Sequence, residues 1–214
     1  MATNPTISTF EELKKKIVSG ELPPSESLRE MDLAAQYNVS RNTVKKALLM
    51  LEKENFVIIE PNKGAKVRAY SMEEVSEFLE LRAELESFIA RLAVPHFDSE
   101  RLRRLQDTLS EMKQHLDSGD LLKYSDCNRC FHMIIFDACP NRTAVNLTLS
   151  LKAQMSKYNS KTILVPGRSL QSFEEHSAIL SAILARNAEL TEALVRHHIS
   201  NVRKAYEKYF SLLT

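Results

Sequence analysis

The sequence predicts a mostly α protein in two parts: short helices closed by a small hairpin over residues 1–70, then an all-α bundle of about six helices over residues 71–214. Three observations carry that expectation. Only 4 glycines occur in 214 residues, too few for sheets joined by tight turns. Apolar residues recur at helical spacing through most of the chain. One β-type run, Phe56-Val57-Ile58-Ile59, breaks that spacing, followed by the turn Pro61-Asn62-Lys63-Gly64 and by Ala65-Lys66-Val67-Arg68, a hairpin with a basic tip.

Composition narrows the class of protein. With 43% apolar and 27% charged residues the chain reads as an ordinary globular protein, not a disordered or fibrous one. Charge-free stretches such as Ser177 to Ala185 run to about ten residues where a membrane span needs about twenty, so no membrane segment is expected. Met1 to Phe10 is polar and lacks the features of a secretion signal, which makes the cytoplasm the expected location. The 3 cysteines, Cys127, Cys130 and Cys139, are odd in number and close together, and read as reduced thiols. The net charge of +1 hides a local surplus: Asn38 to Arg68 holds 7 Lys and Arg against 3 Asp and Glu, whereas residues 71–214 hold 18 against 19. A compact basic region is consistent with a nucleic-acid partner.

The first helix is read over Phe10 to Ser19, with Phe10, Leu13 and Ile17 on one stripe and Gly20 as its stop. Leu28 to Tyr37 gives a second, with Met31, Leu33, Ala34 and Tyr37 as its apolar set, interrupted by Asn38 and Val39. Ser40 then stands as the N-cap of a third helix whose core face is Val44, Ala47, Leu48 and Leu51. Its other face carries Asn42, Lys45 and Lys46, and Arg41 stands in its first turn. Three short helices and a hairpin in this order make a winged helix-turn-helix, which presents the start of its second motif helix to the DNA major groove.

These residues also resemble the GntR family of bacterial transcription regulators. The matching positions are Ile17, Gly20, Leu22, Pro24, Leu28, Glu30, Leu33-Ala34, Val39-Ser40-Arg41, Val44-Lys45, Ala47-Leu48, Leu51, Pro61, Gly64 and Val67. The resemblance implies binding of double-stranded operator DNA by a homodimer through Arg29, Ser40, Arg41, Asn42, Thr43, Lys45, Lys46, Lys63 and Gly64. Thr43 stands where the family commonly has proline, and Lys45 where it has arginine. Lysine keeps the charge but lacks the planar fork that reads guanine, so Lys45 fits a phosphate contact as well as a base contact, while Arg41 retains the fork.

Ser71-Met72-Glu73-Glu74 is a capping-box pattern that opens the second part. Its first helix is expected to run to about Ala93, with Val75, Phe78, Leu85, Ile89 and Leu92 as its stripe. Arg82 falls within that stripe and needs a partner: Glu86 one turn on, the surface, or an anionic ligand. Further helices are read over Ser99 to Leu116, Leu121 to Ala138, Arg142 to about Tyr158, about Leu170 to Arg186, and Ala188 to Phe210. Asn128 and His132 share a helix face, and His176 and His198 lie equally far on either side of a tight link at Arg186-Asn187-Ala188. Three imidazoles and an amide oxygen meeting inside a bundle suit a divalent transition metal, although buried histidines also serve as hydrogen-bonded core residues.

Asn128-x-x-Phe131-His132, Glu175-His176-x-x-Ile179 and His198-Ile199, with Arg82-x-x-Leu85-Glu86 upstream, resemble the ligand-binding FCD domain of the FadR subfamily. That resemblance implies a zinc or nickel ion on Asn128, His132, His176 and His198. It also implies a small organic-acid effector contacting Arg82 and the same four residues. Asn128 occupies the position of the family's aspartate and is a weaker ligand; Asp126, about 200 degrees round the helix, does not replace it. Cys127-x-x-Cys130 has zinc spacing but no second pair, and His197, His96 and His115 are expected to face away from the centre. The alternative of another class is a metal-dependent hydrolase using His132, His176 and His198 with Glu175 as base.

Overall fold

The computed structural model describes residues 4–60, 64–155 and 161–213. The chain forms two compact units that meet in sequence between Ser71 and Met72.

In the first unit, α1 (Pro5–Ser19) starts five residues earlier than its apolar stripe suggests. Asn4 caps it by accepting from the Thr6 N–H, and Pro5 fills the first turn, where no amide hydrogen is needed. Leu28 is not helical as expected: with Ser27 it forms β1, and α2 (Glu30–Tyr37) begins after it. Met31, read as part of the buried stripe, is 72% exposed, and Leu33 alone of that set is buried. Asn38 ends α2 in the left-handed region (φ 50), which asparagine tolerates better than most residues. α3 (Arg41–Lys53) follows, burying Val44, Ala47, Leu48 and Leu51 as expected. β2 (Val57–Glu60) and β3 (Gly64–Val67) pair antiparallel, and β1 pairs with the other edge of β3, giving the order β1-β3-β2. This is a winged helix-turn-helix. The tip residues Pro61, Asn62 and Lys63 lie outside the described residues.

The second unit is all helical: α4 (Met72–Ala93), α5 (Ser99–Ser118), α6 (Leu121–Ala138), α7 (Arg142–Gln154), α8 (Arg168–Leu184) and α9 (Ala188–Leu213). The predicted continuation of α7 to Tyr158 falls outside the described residues, and α8 begins two residues before the expected Leu170. α4 and α9 pack antiparallel along their length. Ion pairs Glu80–Arg203, Glu84–Arg196 and Arg91–Glu192 lie along their shared edge. The core joins Ile89, Ala93 and Phe97 to Leu105, Met112, Phe131, Ile135, Val145, Ile179, Ile183 and Val195. At the turn between α8 and α9, Arg186 takes a left-handed conformation (φ 54) and donates to the Val94 and Phe97 carbonyls, while Asn187 Oδ1 accepts from the Leu190 N–H. That tight turn aligns His176 with His198 across the helix pair.

Candidate functional site

Two sets of residues bear on function, one in each unit. In the first, Ser40 Oγ accepts from the Thr43 N–H at 3.1 Å and shares a hydrogen bond with the Thr43 hydroxyl. Ser40 and Thr43 therefore hold the start of α3, and the Thr43 N–H is a donor that proline would lack. Arg41, Asn42, Lys45 and Lys46 stand exposed on the first two turns of α3, Arg29 is exposed at the start of α2, and Gly64 is exposed at the start of β3. Lys63, the remaining residue of the expected DNA-contacting set, is outside the described residues. Sequence reading did not foresee that Glu30 holds Arg41: Arg41 Nε donates to Glu30 Oε2 at 2.6 Å.

In the second unit, His132, His176 and His198 converge from α6, α8 and α9, with ligand atoms within 4.8 Å of one another. All three are at most 5% exposed. His176 Nε2 lies 3.2 Å from His132 Nε2, and the His176 and His198 ring centroids are 4.5 Å apart. Each ring turns its other nitrogen outward. His176 Nδ1 donates to the Ser172 carbonyl at 2.6 Å, His198 Nδ1 donates to Glu175 at 2.6 Å, and His132 Nδ1 lies 3.6 Å from Glu86 Oε2. A carbonyl or an ionised carboxylate only accepts, so His176 and His198 carry their protons on Nδ1 and direct Nε2 lone pairs to the centre.

Burial drives the pKa of all three histidines down, that of His176 to about 3, so the imidazoles are neutral as metal ligation requires. Burial works to raise Glu175, yet its bond to His198 and the Arg168 charge outweigh this and bring it to about 2. Two bonds of about 2.1 Å to one ion, at tetrahedral or octahedral angles, place their donor atoms about 3.0 to 3.4 Å apart. The 3.2 Å between His132 and His176 is that spacing. Asn128, one turn before His132, has a buried Oδ1 without a hydrogen-bond partner, so the fourth expected ligand atom is uncommitted. The donor set therefore fits a divalent transition ion.

Arg82 is 4% exposed and pairs with Glu86, its Nη2 lying 2.6 Å from Glu86 Oε1, so the intrahelical partner is present. Lys152 Nζ adds a contact to the same oxygen at 3.4 Å. Burial opposes ionisation of Glu86, but Arg82 and Lys152 outweigh it and its pKa is lowered. Lys152, Arg168 and Ser172 were not singled out by the sequence; Arg168, Ser172 and His176 do recur every four residues, a signal that was there to be read. His197 is exposed and accepts from Asn201, and Asp126 is exposed and paired with Arg129, so neither joins the centre. Cys127 is half-buried, Cys130 exposed and Cys139 buried, all free thiols. Glu175, the base that a hydrolase would need, is engaged by His198 and Arg168 on one oxygen and by Asn201 on the other, and nothing supports the hydrolase reading.

Comparison with known proteins bears on the family and the fold. Residues 6–67 match the model of bacterial regulatory proteins of the gntR family, and residues 77–201 match the FCD domain. The uncharacterized HTH-type transcriptional regulator BphR of Paraburkholderia xenovorans (strain LB400) is 29% identical, covering 91% of this chain and 82% of its own. The HTH-type transcriptional regulator LutR of Bacillus subtilis (strain 168) is also 29% identical, covering 91% and 97% respectively. Among solved structures, E. coli McbR/YncC superposes with a TM-score of 0.72 at 23% identity over 99% of this chain and 97% of that one, a likeness of fold. Among the described residues no helix is long and apolar enough to cross a membrane. The chain belongs to the GntR family of bacterial regulatory proteins, carries the FCD domain that fits the FadR subfamily, and is a DNA-binding transcription regulator.

Proposed function

We propose that the protein is a homodimeric regulator whose affinity for a palindromic operator is set by a small carboxylate-bearing metabolite bound at the histidine centre of its helical unit. The observation that carries this reading is the convergence of His132, His176 and His198, whose ligand atoms lie within 4.8 Å of one another while the Nδ1 protons of His176 and His198 leave their Nε2 lone pairs for an ion. His132, His176, His198 and Asn128 would hold a divalent ion such as zinc or nickel, which when bound offers an electrophilic position to an effector carboxylate. Arg82 supplies a buried guanidinium nearby, shared with Glu86. On the DNA side, Arg41 reads bases, Arg29, Asn42, Lys45, Lys46 and Lys63 contact the backbone or base edges, Ser40 and Thr43 fix the helix start, and Gly64 allows the wing to approach.

An effector changes operator affinity only by binding the DNA-competent and DNA-incompetent arrangements unequally. The direct test measures operator binding by fluorescence anisotropy in the presence of zinc and a panel of small carboxylates, for the wild type and His132→Ala. A carboxylate-dependent shift that requires His132 supports the reading. A response unchanged in His132→Ala rejects the histidine centre as the effector site.

A further inference from the structure

Two polar ladders run through the bundle beyond the histidines. On α6, Tyr124, Asn128 and His132 recur every four residues, and on α8 Arg168, Ser172 and His176 do the same, so each set shares one helix face. Both ladders run in the same sense. His132 and His176 meet at one end, and at the other the Arg168 charge acts on the Tyr124 phenol. The rungs are buried: Tyr124 is 0%, Ser172 2% and Arg168 4% exposed.

Arg168 Nη2 donates to Glu175 at 2.8 Å. Its Nε and Nη1 have no hydrogen-bond partner. A guanidinium carries donors on every edge and no acceptor, so burying two of its nitrogens unmatched is costly. Native proteins rarely leave such groups alone unless a ligand, ion or water completes them. The Tyr124 phenol, buried at the same end beside Ser172 and held neutral with its pKa pushed up to about 12 by burial, is a further donor for the same guest.

We infer that Arg168 and Tyr124 form a second subsite, which receives an oxyanion group of the effector two helical turns from the histidine centre. The inference rests on the effector reading above and deepens it. The eight-residue step from Tyr124 to His132 corresponds to about 12 Å along the helix axis. The effector is then an elongated molecule with an anionic group at each end, and a short monocarboxylate fills only the histidine end.

The test is calorimetric titration of the full-length, zinc-loaded protein with straight-chain dicarboxylates from malonate to suberate, each beside the monocarboxylate of equal length. An ω-phosphonocarboxylate arm tells a terminal carboxylate from a phosphate as the preferred oxyanion. At least one doubly charged member should bind about tenfold or more tighter than its singly charged counterpart, as a charge-assisted hydrogen-bonded contact warrants. That ratio should collapse toward one in Arg168→Gln and fall in Tyr124→Phe. The second variant leaves the Glu175 ion pairs in place and removes only a hydroxyl, so it remains informative if Arg168→Gln folds poorly. Equal binding of the two series, or a preference kept in both variants, overturns the second subsite and leaves the histidine centre standing. Absence of binding by every probe overturns both.

Discussion

Arg41, in the first turn of the recognition helix, is held in the DNA-free protein by Glu30 from the preceding helix, with Nε 2.6 Å from Oε2. The pair is largely exposed on the Arg41 side, so it adds little to stability, about 0 to 1 kcal/mol. If Arg41 reads bases as proposed, the pair biases where its guanidinium fork points before DNA arrives. Arg41→Ala should cost about 1 to 3 kcal/mol of operator binding with the melting temperature preserved. Glu30→Gln should leave the fold intact, strengthen binding to random DNA by removing a charge from the phosphate-facing side, and narrow the gap between operator and random sequence. Anisotropy titrations on both DNAs decide this; unchanged discrimination in Glu30→Gln would remove its positioning role. Lys45→Ala, if it loses a phosphate contact, should weaken both DNAs alike and flatten the salt dependence.

For the histidine centre, purified protein should contain zinc or nickel, and a chelator should lower its melting temperature, because an ion that binds only the folded state stabilises it. His132→Ala and His198→Ala should abolish that shift. His197→Ala should not, since His197 is exposed and bonded to Asn201. Asn128→Asp should tighten the metal by replacing an amide oxygen with a carboxylate. Metal content by mass spectrometry that is indifferent to all three buried histidines would reject the centre.

The Arg82–Glu86 pair makes a separate prediction. Removing one member of a buried pair typically costs about 3 to 5 kcal/mol, and Lys152 on the same Glu86 oxygen should keep Arg82→Ala toward the lower end. Glu86→Gln added to Arg82→Ala should recover part of the loss by neutralising the stranded carboxylate. Arg82→Lys should retain most of the stability yet weaken the effector response, because an ammonium lacks the planar fork. Denaturant melts and effector titrations of the three proteins separate the two roles; a full effector response in Arg82→Ala would leave the pair purely structural.

Lys152 supplies a pH dependence. Burial lowers its pKa from 10.5 to about 8, although Glu86 pulls the other way. Between those two values the unfolded chain holds a proton that the folded chain has released, so folding becomes more favourable as pH rises. The slope is at most about 1.4 kcal/mol per pH unit, reduced by the partial exposure of the side chain. The stability of the wild type minus that of Lys152→Met should therefore climb from pH 8 to 10, and a flat difference in urea midpoints would contradict it.

Much of this architecture was legible in the sequence because local chemistry and tertiary packing agree. Ser40 announces α3 as a cap, and Val44, Ala47, Leu48 and Leu51 announce its buried face. His176 and His198 were brought together by their equal offsets from a tight turn, whereas adding Asn128 and His132 to them leaned on the resemblance to the FCD domain. β1 was missed because two residues show no period, and Leu28 suits a helix until β3 offers it a partner. The start of α1 was signalled by Asn4-Pro5 but masked by a stripe that begins at Phe10. Lys152 and Arg168 escaped for another reason: a long cation looks like a surface residue until the carboxylates of Glu86 and Glu175, brought from other helices or other turns, draw it inside.

The ligand set of three neutral imidazoles and one amide gives a bound ion no compensating charge. Around it, Arg82, Lys152 and Arg168 outnumber Glu86 and Glu175, so the surroundings are already positive. A dication placed there is electrostatically incomplete until an anion joins it, and the anion is weakly held until the dication is present. Thermodynamic reciprocity requires each to raise the affinity of the other by the same factor. Under the proposed reading, the operator response would then depend on the joint supply of metal and metabolite, each sharpening the protein's sensitivity to the other.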